Sequence, residues 1–199
     1  MPDWYILFVR SKSEEKIARS LAEKIDTTKA TPFIPTTAKP HSQKRESLDA
    51  DGKKQKRLWG KDKKQCFPGY VFISSQVNAV EFAQEIAPLV KRTDGVYRFL
   101  NYGDNKQDIV VKDNEKSLLE RLMDKHYFID SSKGFKEGNK VKVTEGPLVG
   151  MEGKIKKVNA NKRTALVEFE FMGEVREFTV MLEVVKKEDA DGGDFDEIR

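Results

Sequence analysis

The chain has 199 residues, of which 38% are hydrophobic and 35% charged, enough apolar material for one medium domain and one small one. No apolar run approaches the roughly 18 residues of a membrane span, and residues 1–5 lack the basic start and apolar stretch of a signal peptide. One cysteine, Cys66, excludes an internal disulfide, and two histidines leave no ligand set for zinc. We therefore expect a cytoplasmic protein without a metal, a cofactor or a membrane partner.

The formal net charge of +4 understates how basic most of the chain is. Residues 188–199 carry six acidic side chains and one arginine, so the preceding residues carry a net charge of +9. A basic body of this kind favours polyanions such as nucleic acid, although a charge-rich, solvated surface would give the same number. The acidic, glycine-rich end, residues 188–199, is predicted to be a disordered tail.

The first half of the chain predicts an antiparallel sheet with helices. Residues 4–9 and 70–73 are apolar at every position, which is typical of strands covered on both faces. Ile17, Leu21 and Ile25 recur at four-residue spacing and predict a helix. The remaining predicted elements are an edge strand at Phe33 and Ile34, a helix carrying Val80, Ala83, Ala87 and Val90, a strand at Val96, Arg98 and Leu100, and a helix that Asp113 caps and that carries Leu118, Leu119, Leu122 and Met123. This β-α-β-β-α-β-α order predicts a ferredoxin-like α+β domain.

Such a sheet has more apolar surface than its predicted helices can cover. Two or three short helices cover one face only, so the other face is left with tryptophan, tyrosine and phenylalanine near Phe67 and Tyr70. Exposed apolar patches of this size usually bind a partner. The alternative is that the polar segment 39–64 folds over the patch.

Segment 39–64 is predicted to be an extended loop or a long polar hairpin, because it contains almost no apolar residues. Between residues 44 and 64 it carries nine basic and four acidic side chains. We expect the basic side chains to contact nucleic-acid phosphates and the tryptophan to stack on an exposed base. A solvated loop is the alternative. The candidate residues are Lys53, Lys54, Lys56, Arg57, Trp59, Lys61, Lys63 and Lys64.

The second half of the chain is predicted to contain only strands. Residues 165–171 and 178–184 alternate with a period of two, and glycines at 138, 146, 150, 153 and 173 mark the turns. Short strands with tight turns predict a small SH3-like β-barrel over residues 135–187, after a linker at 129–134. The period of two also argues against a helical form of this domain.

The chain offers no catalytic set. His41 and His126 lie near no serine, cysteine or paired carboxylate at a catalytic spacing, and Cys66 is most simply a small, partly buried residue. We therefore expect a binding protein and not an enzyme.

At this point the sequence resembles the NusG family of transcription elongation factors, over about residues 3–187. The C-terminal half carries what looks like a KOW motif, and three segments are similar to the family's N-terminal domain. The matching segments are Trp4-Tyr5, residues 67–72, residues 93–96 and, for the KOW motif, residues 140–155.

The resemblance implies a two-domain, monomeric factor that suppresses pausing and termination. Its N-terminal domain, residues 1–128 with the basic insertion 39–64, would bind the clamp helices of RNA polymerase through an aromatic groove. Phe67 and Tyr70 occupy the matching positions, with Trp4 and Tyr5 as further contributors. Nascent RNA or non-template DNA would lie close to the basic insertion.

The resemblance also implies that the KOW barrel binds other elongation factors or the ribosome, through Leu148, Met151, Phe171 and Met172. Leu148 and Met151 stand where aromatic residues are usual, and this departure is similar to specialised, operon-specific paralogs such as LoaP. A housekeeping NusG and a KOW-containing, ribosome-associated RNA-binding protein are the alternatives.

Overall fold

The computed structural model describes residues 2–39, 63–138 and 140–185, and they form an N-terminal α+β unit and a C-terminal barrel. The acidic segment 188–199 lies outside the described residues. No helix among the described residues is long and apolar enough to cross a membrane.

The N-terminal unit is built on a four-stranded sheet of order β2-β5-β1-β6, in which every pairing is antiparallel. Its elements in chain order are β1 (Asp3–Val9), α1 (Glu14–Lys24), β2 (Ala30–Phe33), β3 (Thr36–Ala38), β4 (Lys63–Gln65), β5 (Tyr70–Ser75), α2 (Ala79–Glu81), a π-helical turn (Phe82–Ile86), α3 (Ala87–Lys91), β6 (Val96–Phe99), α4 (Asp113–Leu122) and β7 (Phe128–Ile129). This confirms the predicted ferredoxin-like arrangement of sheet and helices.

The apolar side chains of strand β1 lie on both faces of the sheet, so other elements must pack on each face. Tyr5, Leu7 and Val9 point to one face, called the first face, where they pack with α1 and the helical stretch 79–91. Trp4 and Ile6 point to the second face and join a different core. The alternation of a strand thus distributes one apolar run over two cores.

The helical stretch 79–91 buries Ala87 and Val90 as predicted, but its first turns bury other residues than Val80 and Ala83. Phe82 and Ile86 are buried, whereas Val80 is 66% exposed and Ala83 is exposed as well. The π-helical turn, closed by the bond from the Ala87 N–H to the carbonyl of Phe82, adds a residue to one turn of the helix. The added residue changes which side chains before and after it lie on the same side of the helix. A prediction that assumes 3.6 residues per turn throughout therefore assigns the first turn to the wrong side.

The C-terminal unit is a five-stranded sheet of order β10-β11-β12-β8-β9 that forms the predicted SH3-like barrel. Its elements are β8 (Ser132–Glu137), β9 (Lys140–Glu145), a short 3-10 helix (Glu152–Lys154), β10 (Ile155–Asn159), β11 (Thr164–Phe171) and β12 (Glu174–Val185). The long hairpin β11–β12 pairs without interruption, and β8 pairs in parallel with the end of β12.

The structure differs from the predicted linker at 129–134. Phe128 and Ile129 form β7, which pairs with β3 of the N-terminal unit, and Ser132 already begins the barrel strand β8. Only Asp130 and Ser131 connect the two units. Strand β7 has only two residues and is too short to show an alternating apolar pattern, although Ile129 is fully buried in the core.

The second face of the N-terminal sheet is covered, so the expectation of an exposed aromatic patch is wrong for much of its area. Helix α4 and the barrel lie on it, and one continuous apolar core joins Phe72 of the sheet to Phe171 of the barrel. Of the alternative cover, segment 39–64, the structure describes only residues 39, 63 and 64, and the strands that flank it, β3 and β4, pair as an antiparallel ladder.

Gly134 offers a test of the barrel. A Cβ atom at this position would lie 2.3 Å from the carbonyl oxygen of Lys142 on the neighbouring strand, whereas a Cβ at Gly153 would meet nothing within 4 Å. We expect Gly134→Ala to destabilise the protein by about 1–3 kcal/mol, because the β8–β9 ladder must spread. Thermal unfolding should show this loss, with Gly153→Ala as the matched control. Equal unfolding temperatures for the two variants would contradict this account.

Candidate functional site

The turn before β5 is held by a buried carboxylate. Gly69 has a φ of +85°, which favours glycine, and its N–H donates to Oε1 of Glu14 at 2.6 Å. Its carbonyl accepts from the Val9 N–H at 2.8 Å. Glu14 is only 2% exposed, so the turn is fixed to both α1 and β1. Phe67 and Tyr70, on either side of the glycine, are placed by this arrangement.

An exposed row of aromatic rings continues from this turn. The ring of Phe8 lies 5.7 Å from that of Tyr70 and 5.4 Å from that of Tyr97, measured between centroids. Phe8 is 38% and Tyr97 60% exposed. The guanidinium of Arg98 lies 5.9 Å from the Phe8 ring. We call Phe8, Phe67, Tyr70 and Tyr97 the aromatic face.

The other end of the aromatic face lies under the barrel. The Phe67 ring is 4.8 Å from that of Phe178 and 5.9 Å from that of Phe171, between centroids. Phe67 is therefore only 7% exposed. The aromatic face is split: one part is open to solvent and the other is an interdomain contact.

Two polar contacts accompany these rings. Nη1 of Arg176, in the barrel, donates to the hydroxyl of Tyr70 at 2.7 Å, and its guanidinium carbon lies 4.8 Å from the centre of the Tyr70 ring. The backbone N–H of Met172 donates to Oε2 of Glu115 at 2.9 Å. The same oxygen accepts from the Tyr102 hydroxyl at 2.7 Å. Burial raises the pKa of Tyr102 above its ordinary value, so this hydroxyl keeps its proton and remains a donor.

Comparison with known proteins agrees with this architecture. Residues 2–120 match the family model described as "Transcription termination factor nusG", and residues 137–170 match the KOW motif. The chain belongs to the NusG family.

Individual NusG proteins align with nearly the whole chain. The chain is 25% identical to the transcription termination/antitermination protein NusG of Pasteurella multocida over 170 residues, 85% of this chain and 86% of that protein. The NusG of Staphylococcus carnosus is 23% identical over 186 residues, 92% of this chain and 94% of that protein. A solved structure described as "Domain interaction in Thermotoga maritima NusG" covers 92% of this chain and 94% of its own, with 24% identity and a TM-score of 0.47.

Of the predicted polymerase contacts of this NusG-family protein, the structure separates two from the aromatic face. Tyr5 points to the first face and stacks on Phe82 with centroids 3.5 Å apart; burial raises its pKa to about 12. Trp4 is on the second face, but it is buried against Phe33 and Tyr127. Sequence reasoning missed Phe8, which alternation in β1 places on the second face, and Tyr97, whose position depends on the pairing of β6 with β1.

The predicted nucleic-acid contacts are described only in part. Lys63 and Lys64 are exposed in β4, and Nζ of Lys63 lies 5.5 Å from the centre of the Phe128 ring. The remaining candidates lie outside the described residues: Lys53, Lys54, Lys56, Arg57, Trp59 and Lys61.

The predicted partner-binding residues of the KOW barrel are all buried. Leu148 and Met151 are 0% and 4% exposed, and the Leu148 N–H donates to the Ser132 hydroxyl. Phe171 and Met172 are buried at the contact with the N-terminal unit. In this arrangement Phe171 and Met172 of the barrel contact the N-terminal unit of the same chain.

The single thiol is buried next to the aromatic face. Burial raises the pKa of Cys66 to about 12, so it stays protonated. Within the described ranges, no group of three or more histidine, cysteine, aspartate or glutamate side chains could hold a metal ion.

The Glu14–Gly69 hydrogen bond can be tested by comparing an alanine substitution of Glu14 with one of the adjacent, exposed Glu15. We expect Glu14→Ala to destabilise the protein by about 1–3 kcal/mol, because the buried Gly69 N–H loses its acceptor. Glu15→Ala removes an exposed carboxylate and should change stability by less than about 0.5 kcal/mol. Denaturant unfolding and amide exchange at Gly69 measure the difference. An unchanged Gly69 exchange rate in Glu14→Ala would show that the carboxylate does not hold the turn.

Proposed function

We propose that this protein is a transcription elongation and antitermination factor that acts in the cytoplasm by binding RNA polymerase through the aromatic face. Membership of the NusG family supports the activity. The observation that carries the site is the exposed pair Phe8 and Tyr97, which continues directly into Tyr70 of the family-like turn. The protein acts by binding alone and makes or breaks no bond.

The chemistry of the aromatic face suits a helical partner. Aromatic residues and arginine are enriched at protein interfaces, where a few such side chains carry much of the binding energy. Here Arg98 lies over Phe8 and provides a polar rim beside the rings. Apolar side chains on one side of a helix would fill the space between such rings. The clamp helices of RNA polymerase are the partner we assign to this surface.

Binding at the clamp explains the effect on transcription. A protein that holds the clamp closed around DNA and nascent RNA disfavours the open, paused arrangement. Lys63 and Lys64, at the exposed C-terminal end of the basic insertion, then face phosphates of non-template DNA or nascent RNA. The charge of the insertion supports this second contact.

We further propose that the protein is an operon-specific paralog. The positions that matched the family's partner-binding turn, Leu148 and Met151, are aliphatic and buried, so this turn offers no exposed aromatic side chain to a general partner. A deletion of the gene should therefore remove transcripts of one or a few long operons and leave growth and general termination unchanged. A general growth and termination defect would instead indicate a housekeeping factor. Transcript sequencing of the deletion strain distinguishes the two.

The polymerase contact is best tested at Phe8, because Phe67 also touches the barrel and its loss would change two contacts at once. We expect Phe8→Ala to weaken binding to core RNA polymerase by about tenfold or more, the loss typical of a central aromatic contact. Val80→Ala removes an exposed apolar side chain from the opposite side of the sheet and should bind like the wild type. Biolayer interferometry with immobilised polymerase gives both affinities. Equal binding of both variants would exclude the aromatic face as the polymerase site.

A further inference from the structure

We propose that Arg98 recognises an acidic side chain on the polymerase helix that binds the aromatic face. This inference rests on the proposed function and adds a specific polar contact to it. The guanidinium of Arg98 lies 5.9 Å from the centre of the Phe8 ring, in the part of the aromatic face that is open to solvent. A carboxylate beside the apolar side chains of the helix would meet hydrogen-bond donors there.

A β-bulge at Tyr97 places two consecutive residues of β6 beside the same ring. Phe8 pairs with Arg98 and Val9 pairs with Val96, so Tyr97 is an extra residue between the two pairs. In a regular strand, Tyr97 and Arg98 would point to opposite faces of the sheet. Here the Tyr97 ring and the Arg98 guanidinium lie 5.4 Å and 5.9 Å from the centre of the Phe8 ring. Bulges at sheet edges commonly redirect a side chain in this way, often beside a functional site.

The positive charge of Arg98 has no partner of opposite charge in the part of the chain that the structure describes. Its hydrogen bond there is a long one, from Nη1 to the carbonyl oxygen of Phe99 at 3.4 Å. Arg10, which follows β1, differs in this respect, because its Nη2 lies 3.0 Å from Oδ1 of Asp94. Of these two arginines, Arg98 is therefore the one that can accept a carboxylate from a partner without giving up an ion pair.

The contact with Phe8 leaves the donors of Arg98 available. Attraction between a cation and an aromatic ring uses no hydrogen-bond donor. The guanidinium presents its N–H groups in a rigid fork that matches the two oxygens of a carboxylate. Because the ring of Phe8 already restricts the arginine side chain, little further freedom is lost when a carboxylate binds.

The surroundings of Arg98 favour a protein carboxylate over a nucleic-acid phosphate. Phe8 and Tyr97 are 38% and 60% exposed, and their rings offer apolar area that the side chains of a helix can bury. Nucleic acid that stacks its bases on such rings also needs a row of free cations for its phosphates. The adjacent Arg10 is already paired with Asp94, so a single free cation remains beside the rings. One free cation suits one carboxylate.

Arg98→Gln tests the contact, and Arg19→Gln is the matched control, since Arg19 is exposed on α1, on the opposite side of the sheet. Binding to core RNA polymerase without nucleic acid should weaken about tenfold in Arg98→Gln, the effect of losing a charge-assisted hydrogen bond. Arg98→Lys keeps the charge but not the fork, so its affinity should lie between those of Arg98→Gln and the wild type. Arg19→Gln should bind like the wild type. Equal affinities of Arg98→Gln and Arg19→Gln would overturn the proposal.

A double-mutant cycle identifies the carboxylate. Each acidic residue of the clamp helices is replaced by its amide, and each polymerase variant is measured with the wild-type chain and with Arg98→Gln. We expect one acidic residue whose replacement weakens binding of the wild-type chain about tenfold but hardly changes binding of Arg98→Gln. The same cycle with Arg19→Gln should give independent effects. Independent effects of Arg98→Gln and of every acidic residue would show that Arg98 recognises no carboxylate.

The variant Phe8→Ala separates a failure of this inference from a failure of the proposed function. If Phe8→Ala weakens polymerase binding and Arg98→Gln does not, the aromatic face is the polymerase site but the carboxylate contact is wrong. If neither variant weakens binding, both proposals are wrong. A loss in Arg98→Gln that occurs only when the polymerase holds DNA and RNA would indicate a phosphate contact, and it would also overturn the carboxylate contact.

Discussion

Both faces of the N-terminal sheet are apolar, and the need to cover each of them shapes the rest of the molecule. The central strands β1 and β5 carry long side chains on either side, so neither face can be left in water without a large cost. Helix α1 and the stretch 79–91 cover the first face. Helix α4 and the barrel cover the second face, and their apolar side chains share one core with it.

This division places Phe67 in a core that the two units share. A surface rich in aromatic rings favours aggregation when it is exposed to water. The barrel contact removes much of that exposed area, because the ring of Phe67 packs against that of Phe178. The hydrogen bonds of Arg176 and Glu115 fix the orientation of the contact, since each needs one defined approach of the two units.

Local sequence patterns predicted most elements, and they were wrong where a tertiary contact overrides periodicity. The helix at 79–91 was predicted, but its π-helical turn moved the buried stripe from Val80 to Phe82 and Ile86. A linker was predicted where Phe128 and Ile129 form a strand of only two residues, which is too short to show an alternating pattern. Of the candidate site, Phe67 and Tyr70 were predicted from the family-like segment at residues 67–72. Phe8 and Tyr97 emerged only when the strand pairing placed them side by side.

The sequence by itself determined the two-unit α+β and barrel architecture, the family and the aromatic character of the turn at residues 67–70. These follow from alternation, turn residues and motif spacing, which act over a few neighbouring positions. Alternation places neighbouring residues of a strand on opposite faces, but only the tertiary structure decided how each face is covered and that the barrel covers Phe67. Tyr5 and Phe8 stand three positions apart in one strand, yet one lies in a core and the other in solvent. That outcome depends on which distant segment packs on each face, and no local pattern encodes it.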